Sequence, residues 1–327
     1  MATAVPAWRS PDLPIRIGVS SCLLGQEVRY DGGHQRDDYV VGVLGRACTL
    51  VPVCPELEVG LGVPREPIRL VGEAATPRLL GVTSGTDHTD AMRDFARRRI
   101  AALRRQGLSG YILKRGSPSC GLARVKRYAA ADAAPTRDGT GLFARALTKA
   151  LPRLPVEEEG RLTDAALRDS FITRVFAYRR LTAWRESAPG AGAVVEFHAA
   201  HTYLLLAHRP SAHARLGHLV ARVPRAPAEV WLDRYGAIFM AALRTRPTVG
   251  KHVNVLRHIT GSFTRRLSPS EKRELQGLIG DYARGRVPLV VPITLINHFV
   301  ARFDVADARD QVYLHPHPKE LMLRNHV

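Results

Sequence analysis

Three short apolar runs punctuate the first third of the chain, residues 15–20 (IRIGVS), 49–53 (TLVPV) and 110–114 (GYILK), and each runs straight into turn-forming residues. They predict strands. Residues 89–106 (TDAMRDFARRRIAALRRQ) change to helical spacing, with Met92, Phe95, Ile100 and Leu103 toward one side, arginines on the other, and Gly107 as a stop signal. Strand, helix and strand in alternation predict an α/β fold, a Rossmann-like parallel sheet. A further helix is predicted over 163–184, after the acidic Glu157 to Glu159, and residues 187–193 (SAPGAGA) read as a linker. Beyond it the periodicity is helical at 194–208, 228–243, 249–267 and 270–284, the last with a start signal in Ser268-Pro269 and Ser270-Glu271. The expected division is an α/β domain with a trailing helix over residues 1–187 and an all-α domain over 188–327.

Length changes this picture little: 327 residues suffice for two domains that each bury a core, so a metal would serve function and not scaffolding. The longest apolar run, 287–296, is short and broken by Pro288 and Pro292, and the N-terminus has no basic segment leading into an apolar one. The expectation is a soluble, cytoplasmic protein with no membrane partner. Four cysteines, scattered at 22, 48, 54 and 120, are too few for a secreted disulfide framework, and a reducing compartment leaves them as thiols or metal ligands. The net charge of +18 is spread evenly between the two parts. It suits phosphorylated partners such as nucleotides, or RNA contact through a basic surface, and equally a solvated basic surface with neither.

The chemistry concentrates where the predicted strands end. Cys22 follows the first run, Cys54 the second, and Cys120 lies in the turn-rich segment after the third. In an open parallel sheet the loops at the carboxyl ends of strands form the ligand crevice, so three such loops can bring three thiolates to one point whatever their spacing in sequence. The spacing itself matches no zinc ribbon, redox C-x-x-C or ferredoxin pattern. Soft sulfur ligation suits either zinc or an iron-sulfur cluster, each with one open position. Ser20, Ser21, Ser117 and Ser119 supply hydroxyls nearby, and Gly25, Gly116 and Gly121 expose backbone N–H groups. Cys48 precedes its strand and reads as a core residue. Among carboxylates, Glu56 shares the loop of Cys54 and ranks first as acid-base group; Asp31, in the RYDGG turn after Cys22, comes next, ahead of Glu58 and Glu66.

The segments VSSCLLGQEVRYDGGH, CPELEVGLGVPREPIRL, TSGTDHTDAM, GYILKRGSPSCG and GLFARAL together resemble the domain of unknown function 523 family, which includes the thiouracil desulfidases. The likeness runs over residues 15–147. From residue 197 on, FHAAHTYLLLAH, KHVNVLRHITG, VPLVVPITLINHFV and QVYLHPHPKELMLRNHV are similar to the helical domain of unknown function 1722, and the pair resembles two-domain YbgA-like proteins. The resemblance implies a [4Fe-4S] cluster with three Cys ligands, Cys22, Cys54 and Cys120, and one open iron. It places the catalytic glutamate on Glu56 and the serine on Ser117, with Ser119 as alternative. The implied reaction is non-redox, hydrolytic C–S cleavage by a thiouracil or 4-thiouridine desulfidase acting on a thiolated pyrimidine nucleoside or nucleotide, 4-thiouridine monophosphate or a related compound, to give the oxo-pyrimidine and sulfide. The alternative is a nucleic-acid-binding or regulatory protein with a structural cluster or zinc; a third reading is a sulfur-transfer enzyme. In the second domain, His201 and His208 fall on one face of a predicted helix and read as packing or phosphate contact, and Lys251, His252, Asn254, Arg257 and His258 form a basic segment that suits phosphate or RNA backbone, or a solvated face.

Overall fold

The computed structural model of the protein describes residues 6–10, 13–130, 132–325 and 327. The chain divides into two units, residues 14–163 and, as the other, residues 164–327 with those before Pro14. Among the described residues the first unit holds eight strands: β1 (Arg16–Ser20), β2 (Thr49–Val53), β3 (Ile68–Val71), β4 (Arg78–Gly81), β5 (Gly110–Leu113), β6 (Val125–Tyr128), β7 (Pro135–Gly139) and β8 (Val156–Glu158). The three runs read as strands are β1, β2 and β5. They lie in one all-parallel sheet of order β2-β1-β5-β8. The chain leaves β1 for one neighbour, β2, and later returns on its other side as β5, which makes the ends of these strands the switch point where α/β sheets bind ligands. Gly18 of β1 pairs with Tyr111 of β5, and a Cβ there would fall 2.4 Å from the Tyr111 ring, so the absent side chain is what admits the buried tyrosine.

The helix predicted over 89–106 spans Thr89–Arg105 and buries Met92, Phe95, Ala96, Ile100 and Leu103. Gly107 ends it in the left-handed region at φ 67°, its N–H donating to the Arg104 carbonyl. Its Phe95 meets Phe143 of helix Leu142–Ala150 at 6.1 Å, and Phe143 meets Tyr111 at 5.9 Å. The second sheet, of order β4-β3-β6-β7, was not expected. Its strands are short, half-exposed and rich in arginine, so no apolar run marks them.

The second unit is helical, with helices Ala165–Glu186, Ala191–Ala200, Thr202–His208, Pro210–Val220, Glu229–Leu243, Val249–Gly261, Pro269–Ala283 and Val290–Arg302. The boundary expected after residue 187 moves to 163/164, because the first of these helices contributes Ala177, Leu181, Ala183 and Trp184 to the helical core. Trp184 stacks on Phe197 at 4.6 Å, and Trp8 from the N-terminal segment meets Phe197 edge-on at 5.1 Å. The segment read as a linker is a turn inside this unit: the chain leaves one helix at Glu186 and re-enters the next at Ala191, with the Trp184 indole N–H donating to the Ala193 carbonyl at 3.2 Å. The helix expected over 194–208 breaks at His201, whose Nδ1 lies 2.7 Å from the Phe197 carbonyl. Ser268 and Glu271 form the capping box expected at the start of Pro269–Ala283.

Candidate active site

Three strand ends deliver the cysteines to one cavity of about 250 Å³ in the first unit. After β1 the chain enters a tight helical turn, Ser21–Leu24, that carries Cys22 and closes on Gly25 at φ 87°. After β2, Cys54 caps the turn Pro55–Glu58, its N–H donating to the Glu58 carboxylate at 2.9 Å. After β5 a longer loop carries Ser117, Ser119 and Cys120. Cys22, Cys54, Cys120, Glu56 and Ser117 all line the cavity, together with Arg29, Tyr30, Arg65, Lys114 and Arg115. Cys48 does not; it is buried in the core, where burial alone pushes its thiol up to about 12.

Burial also governs the three cavity thiols. It pushes Cys22 up to about 11, against a smaller opposing pull from Lys114. Cys54 is raised by the same cause. Cys120 is raised furthest, and hydrogen bonds from Ser20 and Ser119 offset only part of the effect. Thiols so desolvated become thiolates when a cationic centre replaces the lost hydration. Among the described residues no three His, Cys, Asp or Glu side chains are gathered at single-ion spacing.

Glu56 sits at the centre of a polar network. Arg65 donates to its Oε2 from Nε at 3.2 Å and from Nη2 at 2.6 Å, and both side chains are largely buried, Arg65 6% and Glu56 15% exposed. Its Oε1 accepts from Ser117 Oγ at 3.2 Å and from Ser119 Oγ at 2.5 Å. Ser119 Oγ lies 3.8 Å from Cys120 Sγ, and Ser117 Oγ accepts the N–H groups of Ser119 and Cys120 at 3.2 and 3.1 Å. Ser119 is fully buried behind the wall and Ser117 faces the cavity.

Two features missed from sequence hold this site in place. Arg65 orients Glu56, and is itself fixed by the carbonyls of Gly62 and Val28 at 2.8 and 3.0 Å; the signal was its place in VPREP, nine residues past a glutamate that needed a counter-ion. The acidic run 157–159 clamps the loop after β5. Glu159 accepts from Lys114 Nζ and from the Arg115 N–H at 2.7 Å, and Glu158 accepts from the Leu122 N–H at 2.8 Å. The weaker carboxylate candidates turn out to be structural. Asp31 does not line the cavity: it closes its own turn on the Gly33 N–H at 3.1 Å and pairs with Arg29 at 3.3 Å. Glu58 caps Cys54 and meets Arg99, and Glu66 holds the N–H groups of Thr83 and Ser84.

The family model for 2-thiouracil desulfurase matches residues 17–159, and that for a protein of unknown function, DUF1722, matches 202–318. YbbK of Bacillus subtilis (strain 168), an uncharacterized protein, is 33% identical over 146 residues, 43% of this chain and 95% of YbbK. The chain belongs to the 2-thiouracil desulfurase family, in its two-domain, YbgA-like form. YbgA of Escherichia coli (strain K12), also uncharacterized, is 28% identical over 158 residues, 48% of this chain and 94% of YbgA. A solved structure of the [4Fe-4S]-dependent thiouracil desulfidase TudS is 31% identical, with a TM-score of 0.38, over 48% of this chain and 98% of that one. The desulfurase match covers every residue of the cavity, and the DUF1722 match falls within the helical unit.

In that unit His201 and His208 are buried, with His208 Nδ1 2.7 Å from the Thr245 carbonyl. His252, expected in an outward basic segment, is buried instead, its Nδ1 2.8 Å from the Tyr313 hydroxyl. Lys251 Nζ donates to the His208 carbonyl at 2.7 Å, so this part of the basic segment is spent internally, while Asn254, Arg257 and His258 face outward. No helix among the described residues is long and apolar enough to cross a membrane.

Proposed function

We propose that the chain is a desulfidase that converts a thiolated uracil compound and water into the oxo-pyrimidine and hydrogen sulfide, using a [4Fe-4S] cluster held by Cys22, Cys54 and Cys120. The observation that carries this reading is Glu56, a carboxylate held in the same cavity as three thiols with one oxygen taken by Arg65 and the other turned to the serines. The donor set fits the cluster: three soft sulfurs line one cavity, and Ser20 and Ser119 hydroxyls reach Cys120. When bound, a cluster with three protein ligands supplies a thiophilic iron that polarises the substrate's C=S bond.

The chain's own residues supply the rest. Glu56 Oε1 takes a proton from the water that adds to the ring carbon, as general base. Arg65 keeps Glu56 from turning away, since rotation would strand a buried guanidinium. Ser117, the serine that faces the cavity, donates a hydrogen bond to the charge that develops on the substrate, and the buried Ser119 ties Glu56 to Cys120. C=S is exchanged for C=O with no net electron transfer, so no reductase is needed.

The test is anaerobic purification, iron and sulfide analysis, and addition of 4-thiouracil while following loss of thiocarbonyl absorbance. The expected protein is brown and turns over. Glu56→Gln keeps its iron and loses about 100- to 10,000-fold in kcat, whereas Cys22→Ala loses iron and activity together. A colourless protein with stoichiometric zinc, or a brown one that leaves every thiolated pyrimidine intact, refutes the assignment; the latter favours a regulatory protein with a structural cluster.

A further inference from the structure

Four cationic side chains line the cavity: Arg29, Arg65, Lys114 and Arg115. Three are committed elsewhere or open to solvent. Arg65 is spent on Glu56 and two carbonyls, Arg29 pairs with a half-exposed Asp31, and the Arg115 side chain is exposed. Lys114 differs. Its side chain is 15% exposed, and its ammonium is held by the Glu159 carboxylate, itself 11% exposed, and by the Arg115 carbonyl at 3.3 Å. Its backbone N–H donates to Ser20 Oγ at 3.0 Å, and the Ser20 hydroxyl reaches Cys120. Ser20 ends β1 two residues before Cys22, so Lys114 joins the end of β5 to the loops of both Cys22 and Cys120.

A buried ion pair is by itself weak evidence for stability, and this one lies beside three sulfurs. It is an oriented dipole. Of the charges that act on Cys22, Lys114 pulls hardest and Glu159 pushes less, so the positive end is the one turned toward the thiols. We propose that Lys114 tunes the cofactor: its ammonium supplies the positive charge that offsets three thiolates, raises the reduction potential of the cluster and slows its loss, while Glu159 fixes where that charge sits. The proposal rests on the [4Fe-4S] reading and adds no step to turnover. Potentials of such clusters follow net charge, hydrogen bonds to the sulfurs and burial. Lys114 acts on the first through its ammonium and on the second through Ser20.

The experiment is an anaerobic redox titration of the cluster-loaded full chain, read by visible absorbance and by electron paramagnetic resonance of the reduced cluster, beside iron release to a ferrous chelator. In Lys114→Met the reduced-to-oxidised ratio at a fixed ambient potential falls about 10-fold, about 59 mV for a one-electron couple, and iron leaves faster. Lys114→Arg keeps the charge and stays near wild type. Glu159→Gln removes the negative end and moves the potential upward, which a mere loosening of the loop does not do. Lys149→Met, the same charge loss at an exposed helix position, leaves the potential in place. Equal potentials in wild type and Lys114→Met, or shifts of the same sign in Lys114→Met and Glu159→Gln, overturn the tuning role and leave the desulfidase reading standing. If Lys114→Met takes up no cluster, Glu159→Gln decides alone, an upward shift in support and a downward or absent one against. A wild-type protein without iron and sulfide sinks both readings.

Discussion

Gly141→Ala offers a direct test of how the cysteine loop is held. Gly141 caps helix Leu142–Ala150, and the first N–H groups of that helix donate into the loop: Leu142 to the Pro118 carbonyl at 3.1 Å, and Phe143 and Ala144 to the Ser119 carbonyl at 3.0 and 3.2 Å. The Gly141 N–H donates in turn to the Gly121 carbonyl at 2.8 Å. A Cβ at 141 would stand 2.4 Å from the Ser119 carbonyl oxygen and 2.9 Å from the Cys120 nitrogen, all of it backbone. The two segments must separate by roughly 1 Å to reach ordinary contact distance. Overpacking of this kind costs about 1–3 kcal/mol, and a shift of roughly 1 Å at catalytic groups can lower turnover by about 100-fold. Urea unfolding and thiouracil turnover measure the two effects separately. Gly42→Ala is the matched control, since a Cβ there meets nothing within 4 Å. A Gly141→Ala protein with the wild-type unfolding midpoint and wild-type turnover refutes the claim that this helix start positions Ser119 and Cys120.

Two further outcomes follow from partners already described. Glu159→Gln removes the counter-charge of the largely buried Lys114 and should lower unfolding free energy by about 2–3 kcal/mol; a change within 0.5 kcal/mol, a threshold of about the size seen for surface sites, means the pair behaves as an exposed one. In the helical unit, burial lowers His201 and His252 from the ordinary 6.5 to about 3, and His208 to about 4. The unfolded chain then binds more protons than the folded one between these values, so stability is complete above pH 6.5 and falls as pH drops below it. Each histidine costs about 2 kcal/mol at pH 5, and flat unfolding midpoints from pH 7 to 5 would contradict their neutral burial.

What could be read from sequence divides along physical lines. The apolar runs at β1 and β5 were visible because a strand in the middle of a parallel sheet is covered on both faces and cannot alternate, whereas β2, at the sheet edge and half-exposed, was visible from its β-branched and apolar residues alone. The meeting of Cys22, Cys54 and Cys120 around one cavity followed from the loops these strands feed. The second sheet was hidden because its strands are interrupted by Arg69, Arg78, Arg127 and Arg137, and half-exposed strands of four or five residues leave almost no periodic signal. Charge misled in the same way. Glu157, Glu158 and Glu159 were noted only as an acidic run before a helix, yet all three are buried, and Glu158 and Glu159 hold the loop that bears Cys120. Asp31, by contrast, sits in a turn after Cys22 but outside the cavity lining, where it holds the Gly33 N–H and pairs with Arg29. Local sequence reports what a residue can do, whereas its use depends on which distant groups need a partner. Glu56 therefore could be ranked first from its neighbour Cys54, but its orientation was illegible until Arg65 was seen to occupy one of its two oxygens and leave the other to the serines.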